Sequence, residues 1–378
     1  MRKLFWGIQN LTYIGGTETV SVKLMNLLCS NYEVHLVCTS EIDGKISYDI
    51  DHRVHIHCLG VPSEVGRFDQ AIATYTKKFQ IFKIVRLLHR VMKAYFYSRR
   101  KTRKLIASWM DEDSIYVGST LDSYLFAPKK GDAYFHYHFN SANFLYWVNQ
   151  WGFRKSVKPK KYVFLAKDTM NAVLSKKPKL NGVSTYIYNP VRFAPVEDFA
   201  YHDGKILFVG RFTEQKDPLL ALQVAKTLHD DGFKFSLTMI GEGHFEPQMK
   251  DFIKANGLNE VILKTGYRAT QEDFSSSDLL LCTSTYEGFP LVYGEANSCS
   301  LPIITSRWAG AVEEAFVVGK SGWIVEGRDP KDYAAKIKEA LSDKEALIQS
   351  RRKALEAAKR LSDEAIAAQW KNLFEAKE

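Results

Sequence analysis

Short apolar runs alternate with longer stretches in which apolar residues recur at helical spacing, the pattern of parallel α/β construction. In the first half the runs fall at 3–8, 33–39, 54–59, 114–119, 133–139, 162–166 and 184–188. In the second half they fall at 205–209, 235–240, 261–266, 279–283, 302–305 and 322–325. Between the halves, YNPVRFAPVEDFAYHDGK carries Pro190, Pro195 and Gly204 and follows neither period, which places a linker there and a boundary near residue 190. Two domains follow from this, 1–189 and 190–360. The last segment, LSDEAIAAQWKNLFEAKE, reads as one amphipathic helix with Ser362 as N-cap and Asp363 and Glu364 in its first turn.

Composition agrees with two packed cores. The 378 residues are 46% hydrophobic and 13% aromatic, with enough apolar surface for two cores, and the 25% of charged residues are mixed among them, which excludes a disordered polymer. The five cysteines lie far apart without a Cys-x-x-Cys pair, as expected in a reducing compartment. The start, MRKLFWGIQN, meets Gln9 and Asn10 too early for a signal peptide and reads as a first buried strand. No stretch approaches the roughly 20 apolar residues of a membrane span.

The net charge of +9 calls for a polyanionic partner: nucleic acid, an anionic membrane or a phosphate-bearing substrate. Between Asp69 and Asp111 there is no acidic residue, while basic residues from Lys77 to Lys104 interleave with Phe79, Phe82, Val85, Leu88, Met92 and Phe96 at near-helical spacing. Such a helix can lay its apolar face on lipid and hold its cations at the headgroups. The competing reading packs that stripe on the first domain and leaves the charges in water. The basic segment lacks a recognisable nucleic-acid-binding motif, so no nucleic-acid partner is expected.

Four places carry chemistry. In KILFVGRFTEQKDPLLALQVAKTL a buried strand ends at Gly210, Arg211 and Lys216 stand on the loop, and Asp217 with Pro218 starts the next helix. Both cations thus emerge at the carboxyl end of a strand, where open α/β sheets bind ligands. In LLLCTSTYEGFPLVYGEANSCSLPIITS a strand runs into a loop with Glu287 and Gly288, followed by a helix expected to start near Pro290 with the amides of Phe289, Leu291 and Val292 free for an anion. Gly288 lets a diphosphate approach the backbone. Glu287 and Glu295 flank this turn, and a carboxylate is suited to a vicinal diol of a hexose or ribose.

After the first strand, Gly15 and Gly16 precede a helix with Thr17 available as its cap, although the full G-x-G-x-x-G pattern is absent. The run 133–139 places His136 and His138 on one face. A His-x-His pair can bind zinc, yet His55 and His57 repeat the spacing without catalytic context. A single polar histidine near the strand's carboxyl end is preferred, with His138 chosen and His136 left open.

Together, Arg211 with Lys216, the Glu-x7-Glu element EGFPLVYGE, and Gly15-Gly16 before the first long helix resemble glycosyltransferase family 4, the retaining glycosyl transferases group 1 enzymes of GT-B fold. The resemblance covers essentially the whole chain. It implies two Rossmann-like domains facing across a cleft, acceptor-binding in 1–189 and donor-binding in 190–360, with the helix at 361–378 packing back on the first. It gives Arg211 and Lys216 to the donor diphosphate, Glu287 to the transferred sugar, Glu295 to the ribose, Tyr267 after Gly266 to the base through backbone atoms, and His138 in YHFNS to the donor sugar. Gly15, Gly16, Gly288, Phe289, Pro290 and Leu291 complete the donor site.

The implied reaction moves a hexose-type sugar from a UDP- or GDP-sugar to a glycan or polyprenyl-linked acceptor in bacterial surface polysaccharide synthesis, on the cytoplasmic face of the plasma membrane. Two cations and helix-end amides are placed to stabilise the departing diphosphate, and no Asp-x-Asp motif offers a magnesium site, so neither a metal nor another cofactor is expected. The main rival is a nucleotide-sugar epimerase of the same fold. A dehydrogenase is disfavoured because no dinucleotide fingerprint follows the first strand.

Overall fold

The computed structural model describes residues 1–12, 15–40, 42, 45–61, 100–120, 123–124, 126–138, 157–307 and 312–376. Most of the basic, apolar-interleaved segment falls outside the described residues.

The chain forms two compact units. One comprises Met1–Leu165, Val173–Ile187 and Trp370–Glu378, the other Ala166–Ala172 and Tyr188–Gln369. Each holds a parallel sheet, and every apolar run read from the sequence is a strand.

In the first unit the strands are β1 (Lys3–Ile8), β2 (Glu33–Ser40), β3 (His55–Val61), β4 (Ile115–Gly118), β5 (Asp132–Tyr137), β6 (Lys161–Phe164) and β7 (Ser184–Tyr186), in the order β3-β2-β1-β4-β5-β6-β7. The central strands are continuous apolar runs because a parallel sheet is covered on both faces. In β4 all four residues are buried, whereas the edge strand β7 is only half-buried. The order reverses between β1 and β4. β1 pairs with β2 on one side and with β4 on the other.

The second unit repeats this plan with β8 (Lys205–Val209), β9 (Ser236–Gly241), β10 (Val261–Thr265), β11 (Leu279–Cys282), β12 (Ile303–Ser306) and β13 (Gly322–Val325), ordered β10-β9-β8-β11-β12-β13. Here the reversal falls between β8 and β11. At such a reversal the loops leaving the two strands diverge to opposite faces and open a crevice at their carboxyl ends, the ligand position of doubly wound sheets. The core under sheet and helices is built from Phe208, Leu222, Leu237, Met239, Leu281, Tyr333 and Ile337.

Four helices place the chemistry. Helix α1 (Gly16–Leu28) follows β1, and α2 (Pro218–Asp230) follows β8. Helix α3 (Leu291–Ser298) follows β11, and α4 (Asp363–Glu375) ends the fold. Asp217 caps α2, accepting from the Leu220 amide at 3.2 Å with Pro218 in the first turn, as the sequence predicts. Ser362 caps α4, accepting from the Ala365 amide at 3.2 Å.

The second half of α4 belongs to the first unit. Trp370, fully buried, packs on Trp6 at 5.1 Å and His136 at 5.0 Å between ring centroids, and Phe374 packs on Tyr134 at 5.1 Å. The described end of the basic segment, 100–109, is helical. Its buried positions Thr102 and Ile106, continued by Met110, face inward, and Ile106 and Met110 join the core of Phe5, Val37 and Tyr116. Arg100, Lys101 and Lys104 are exposed. Over these residues the apolar stripe covers the protein's own sheet and is not available to lipid. Among the described residues no helix is long and apolar enough to cross a membrane.

Candidate functional site

The loops that leave β8 and β11 carry the charged residues of the second unit. Gly210 ends the strand, its amide donating to the Ile240 carbonyl at 3.0 Å, and the Phe212 amide donates to Glu242 at 2.8 Å, so the β8 and β9 loops run side by side. This closeness requires glycine at 241, because a Cβ there would lie 2.0 Å from the Gly210 carbonyl oxygen. The two switch-point loops are then tied together. The Thr285 amide donates to Gln215 at 2.8 Å, the Gln215 side chain to the Tyr286 carbonyl at 3.2 Å, and the Thr283 hydroxyl to the Asp217 carbonyl at 2.8 Å.

That frame brings Lys216 against Glu287. The ammonium forms an ion pair with Glu287 Oε1, and both side chains are largely buried. Arg211 stands exposed at the rim, donating to Gln215 Oε1 at 2.9 Å. Arg328 binds Asp217 at 2.5 Å and the Thr283 carbonyl at 2.7 Å, fixing the start of α2 from a third loop.

After Glu287 the chain passes Gly288 and Phe289 and enters α3. Pro290 is the N-cap residue, in extended backbone, and the helix begins at Leu291. The start falls one residue after Pro290, near which it was expected. Proline does not sit in the first turn, and the Phe289 amide lies ahead of the helix. The Tyr293 amide donates to Pro290 at 3.2 Å, which leaves the amides of Leu291 and Val292 at the mouth of the helix. No acidic residue occupies this first turn and no side chain caps it. The positive end of the dipole therefore opens beside Lys216 and Glu287.

Glu295, one turn further on, is almost buried. Burial raises its pKa, and Arg192, Arg268 and Lys216 act in the opposite direction. Arg192 approaches closest, its Nε 3.4 Å from Glu295 Oε1. Sequence reasoning missed Arg192, Arg268 and Arg328. Arg192 lies in the stretch that looks like plain linker, and only the fold shows that this stretch passes over α3. Tyr267 is exposed on the loop after β10, with the Lys264 ammonium 5.3 Å above its ring.

The first unit places its candidates differently. Gly15 is the extended N-cap of α1, and Thr17 lies inside the helix, so the expected Thr17 cap is not formed. The helix starts earlier because the Gly15 amide is held by the Tyr48 hydroxyl at 2.8 Å and the Gly15 carbonyl already accepts the Thr19 amide at 2.9 Å. Gly16 opens the helix. Glu18 is buried in the first turn, where burial raises its carboxyl pKa and a bond to its own backbone amide lowers it.

His136 and His138 share a face, their Nδ1 and Nε2 atoms 3.0 Å apart. His136 is a core residue, edge-on to Trp6 and Trp370. Burial, reinforced by His138, holds its pKa well below the ordinary histidine range. His138 stands just past the end of β5, half-buried, and burial lowers its pKa to about 3. Both are neutral at physiological pH. Among the described residues no group of three or more His, Cys, Asp or Glu side chains is placed to hold a metal ion.

The structure of S. aureus TarM in complex with fondaparinux, alpha-GlcNAc-glycerol and UDP superposes with a TM-score of 0.76 at 15% identity, covering 100% of both chains. The fold is thus GT-B, the two-sheet architecture of that glycosyltransferase. The family model of the glycosyl transferases group 1 matches residues 195–361, which lie within the second unit.

An uncharacterized glycosyltransferase of Methanocaldococcus jannaschii is 27% identical over 164 residues, 42% of this chain and 44% of that protein. The amylovoran biosynthesis glycosyltransferase AmsK of Erwinia amylovora is 28% identical over 149 residues, 37% of this chain and 36% of that protein. These matches span less than half the length of either relative. An uncharacterized glycosyltransferase of Haemophilus influenzae is 22% identical over 388 residues, 99% of this chain and 100% of its own.

Proposed function

We propose that the chain is a retaining glycosyltransferase that moves a hexose-type sugar from a nucleoside-diphosphate donor, a UDP- or GDP-sugar, to a hydroxyl of a glycan or lipid-linked acceptor. The observation that carries this reading is the Lys216–Glu287 pair at the β8/β11 switch point, beside the uncapped start of α3. In the reaction, the bond between the anomeric carbon and the diphosphate oxygen breaks and negative charge builds on that oxygen. Lys216, Arg211 and the Leu291 and Val292 amides are disposed to stabilise it. The acceptor oxygen bonds to the anomeric carbon on the same face, and its proton passes to the leaving phosphate.

Glu287 takes the hydroxyls of the transferred sugar and Glu295 those of the ribose, while the backbone around Gly266 and Tyr267 meets the base. The family resemblance assigns the neutral His138 to a sugar hydroxyl, and Gly15 and Gly16 to donor binding. Retention with same-face attack comes from the family resemblance. The UDP held by TarM supports a UDP donor, and the name of AmsK supports surface polysaccharide synthesis. Peripheral attachment to an anionic membrane draws support from the exposed Arg100, Lys101 and Lys104.

A panel of UDP- and GDP-sugars incubated without acceptor tests the reading. Slow release of one nucleoside diphosphate with the free sugar is expected from a single donor. Release from none, or conversion of the donor to its epimer, would reject it.

A further inference from the structure

We propose that Arg192 is a positioning residue that orients the Glu295 carboxylate for the ribose hydroxyls of the nucleotide. The inference rests on the donor reading above and goes beyond it, since Arg192 belongs to the segment that joins the two halves.

Four observations fix Arg192 in place. Its Nη2 donates to the Ala269 carbonyl, and its guanidinium carbon lies 4.1 Å above the Phe193 ring. Phe193 in turn meets Phe274 edge-on at 5.5 Å, and the Gln271 side chain donates to the Ala194 carbonyl at 2.6 Å. These contacts hold the guanidinium from behind, leaving Nε 3.4 Å from Glu295 Oε1. The approach itself depends on Gly294. A Cβ there would lie 2.6 Å from Cγ1 of Val191, so only glycine beside Glu295 lets the segment close on α3.

The chemistry needs such a partner. Glu295 has a side chain only 12% exposed, and burial favours its protonated form. A protonated carboxyl exchanges one strong acceptor for a donor, so it no longer accepts from both hydroxyls of a diol through two anionic oxygens. Three cations face it: Arg192 from the linker, Arg268 from the loop after β10 and Lys216 from the loop after β8. Lys216 is engaged by Glu287 and Arg268 is exposed, which leaves Arg192 as the fixed and shielded one. Cys299, on the same helix, is a thiol whose pKa burial and Glu295 push up to about 12, so it adds no charge at neutral pH.

Loss of Arg192 moves the Glu295 pKa further up, so the variant carboxyl takes its proton at a higher pH than the wild-type one. Calorimetric binding of UDP and GDP over a pH series from mildly acid to mildly alkaline tests this on the whole chain. The tighter nucleotide is compared with its 2′-deoxy form in wild type, Arg192→Met, Arg192→Gln, Arg192→Lys and Glu295→Gln. Because the terminal phosphate titrates near 6 in every case, the ratio to wild type at each pH is the readout.

The two neutral Arg192 variants are expected to bind several-fold more weakly than wild type at the acid end of the series, with a smaller loss at the alkaline end, because a carboxyl with a raised pKa is protonated first as pH falls. Their preference for ribose over deoxyribose shrinks, and Arg192→Lys restores it in large part. Glu295→Gln lacks the preference at every pH. A loss in the neutral variants that is independent of pH and leaves the ribose preference intact would mean packing only and overturn the proposal. So would wild-type affinity in both, with Glu295→Gln impaired. If Glu295→Gln itself keeps the ribose preference, or the wild type binds neither nucleotide, the donor reading fails instead.

Discussion

The helix that follows β1 at the β1/β4 switch point and the one that follows β11 at the β8/β11 switch point both open at the reversal of their sheet, from opposite sides of it, and their chemistry is opposite. At α1 the Gly15 amide is taken by Tyr48, and Glu18 sits buried in the first turn with its carboxyl on its own amide. An acidic residue thus already occupies the positive end of that helix. Among the described residues at the neighbouring strands, the Trp6 indole donates to the Ser119 hydroxyl at 2.7 Å, and His136 and His138 are held uncharged. At α3 there is neither side-chain cap nor acid in the first turn, Lys216 pairs with Glu287 just ahead of the helix, and Arg192 pairs with Glu295 within it. Topology fixes where a ligand can sit, and the side chains decide its charge. In our reading the second unit is built for a diphosphate and the first for uncharged hydroxyls.

The sharpest way to break this contrast is to remove the cation at the charged end. Lys216→Ala should lower turnover by about 10²-fold, the scale of one preorganised contact to a developing charge, and Arg211→Ala should act in the same direction. Turnover is measured with circular dichroism alongside, to show that the fold persists. Near-normal rates in both variants would remove the diphosphate from this loop. A smaller effect is expected at the neutral end. His138→Ala should reduce kcat/KM by roughly tenfold, the worth of one hydrogen bond to a sugar hydroxyl. The sign of the pH dependence follows from burial. With a pKa lowered to about 3, His138 is neutral above that value and charges only below it. The rate profile from neutral to mildly acid pH should therefore carry no imidazole step, and a step that disappears in His138→Ala would show that the histidine works as an acid.

All the strands were legible because a parallel sheet buried on both faces writes continuous apolar runs, and even the end strand Ser184–Tyr186 keeps its place in the pattern. The caps Asp217 and Ser362 were legible too, since their side chains act within three residues. The cap of α1 was read at Thr17, two residues past the true one, and α3 begins one residue after Pro290, because the true starts of these helices depend on distant or irregular partners. Tyr48 holds Gly15 across 33 residues, and the Pro290 backbone stays extended. The Glu-x7-Glu spacing pointed to Glu287 and Glu295, but nothing local to Arg192 relates it to Glu295, which is 103 residues away in sequence and 3.4 Å away in space. Long-range ion pairs of this kind have no period to read.

The smallest expected effect sharpens the contrast from the other side. If the charge of the departing diphosphate is met by Lys216, Arg211 and the open helix end, a divalent cation has no further charge to neutralise there, and EDTA should leave turnover unchanged. The same cations should make donor binding sensitive to salt, because exposed charges such as Arg211 are screened over about 10 Å at 0.1 M ionic strength. Acceptor KM, set in our reading by the neutral end, should move less. Donor and acceptor KM measured across a salt series, with and without EDTA, separate the two ends. Complete loss in EDTA restored by manganese would mean that a metal supplies the charge assigned to Lys216 and Arg211, and equal salt sensitivity of donor and acceptor would erase the contrast between the two switch points.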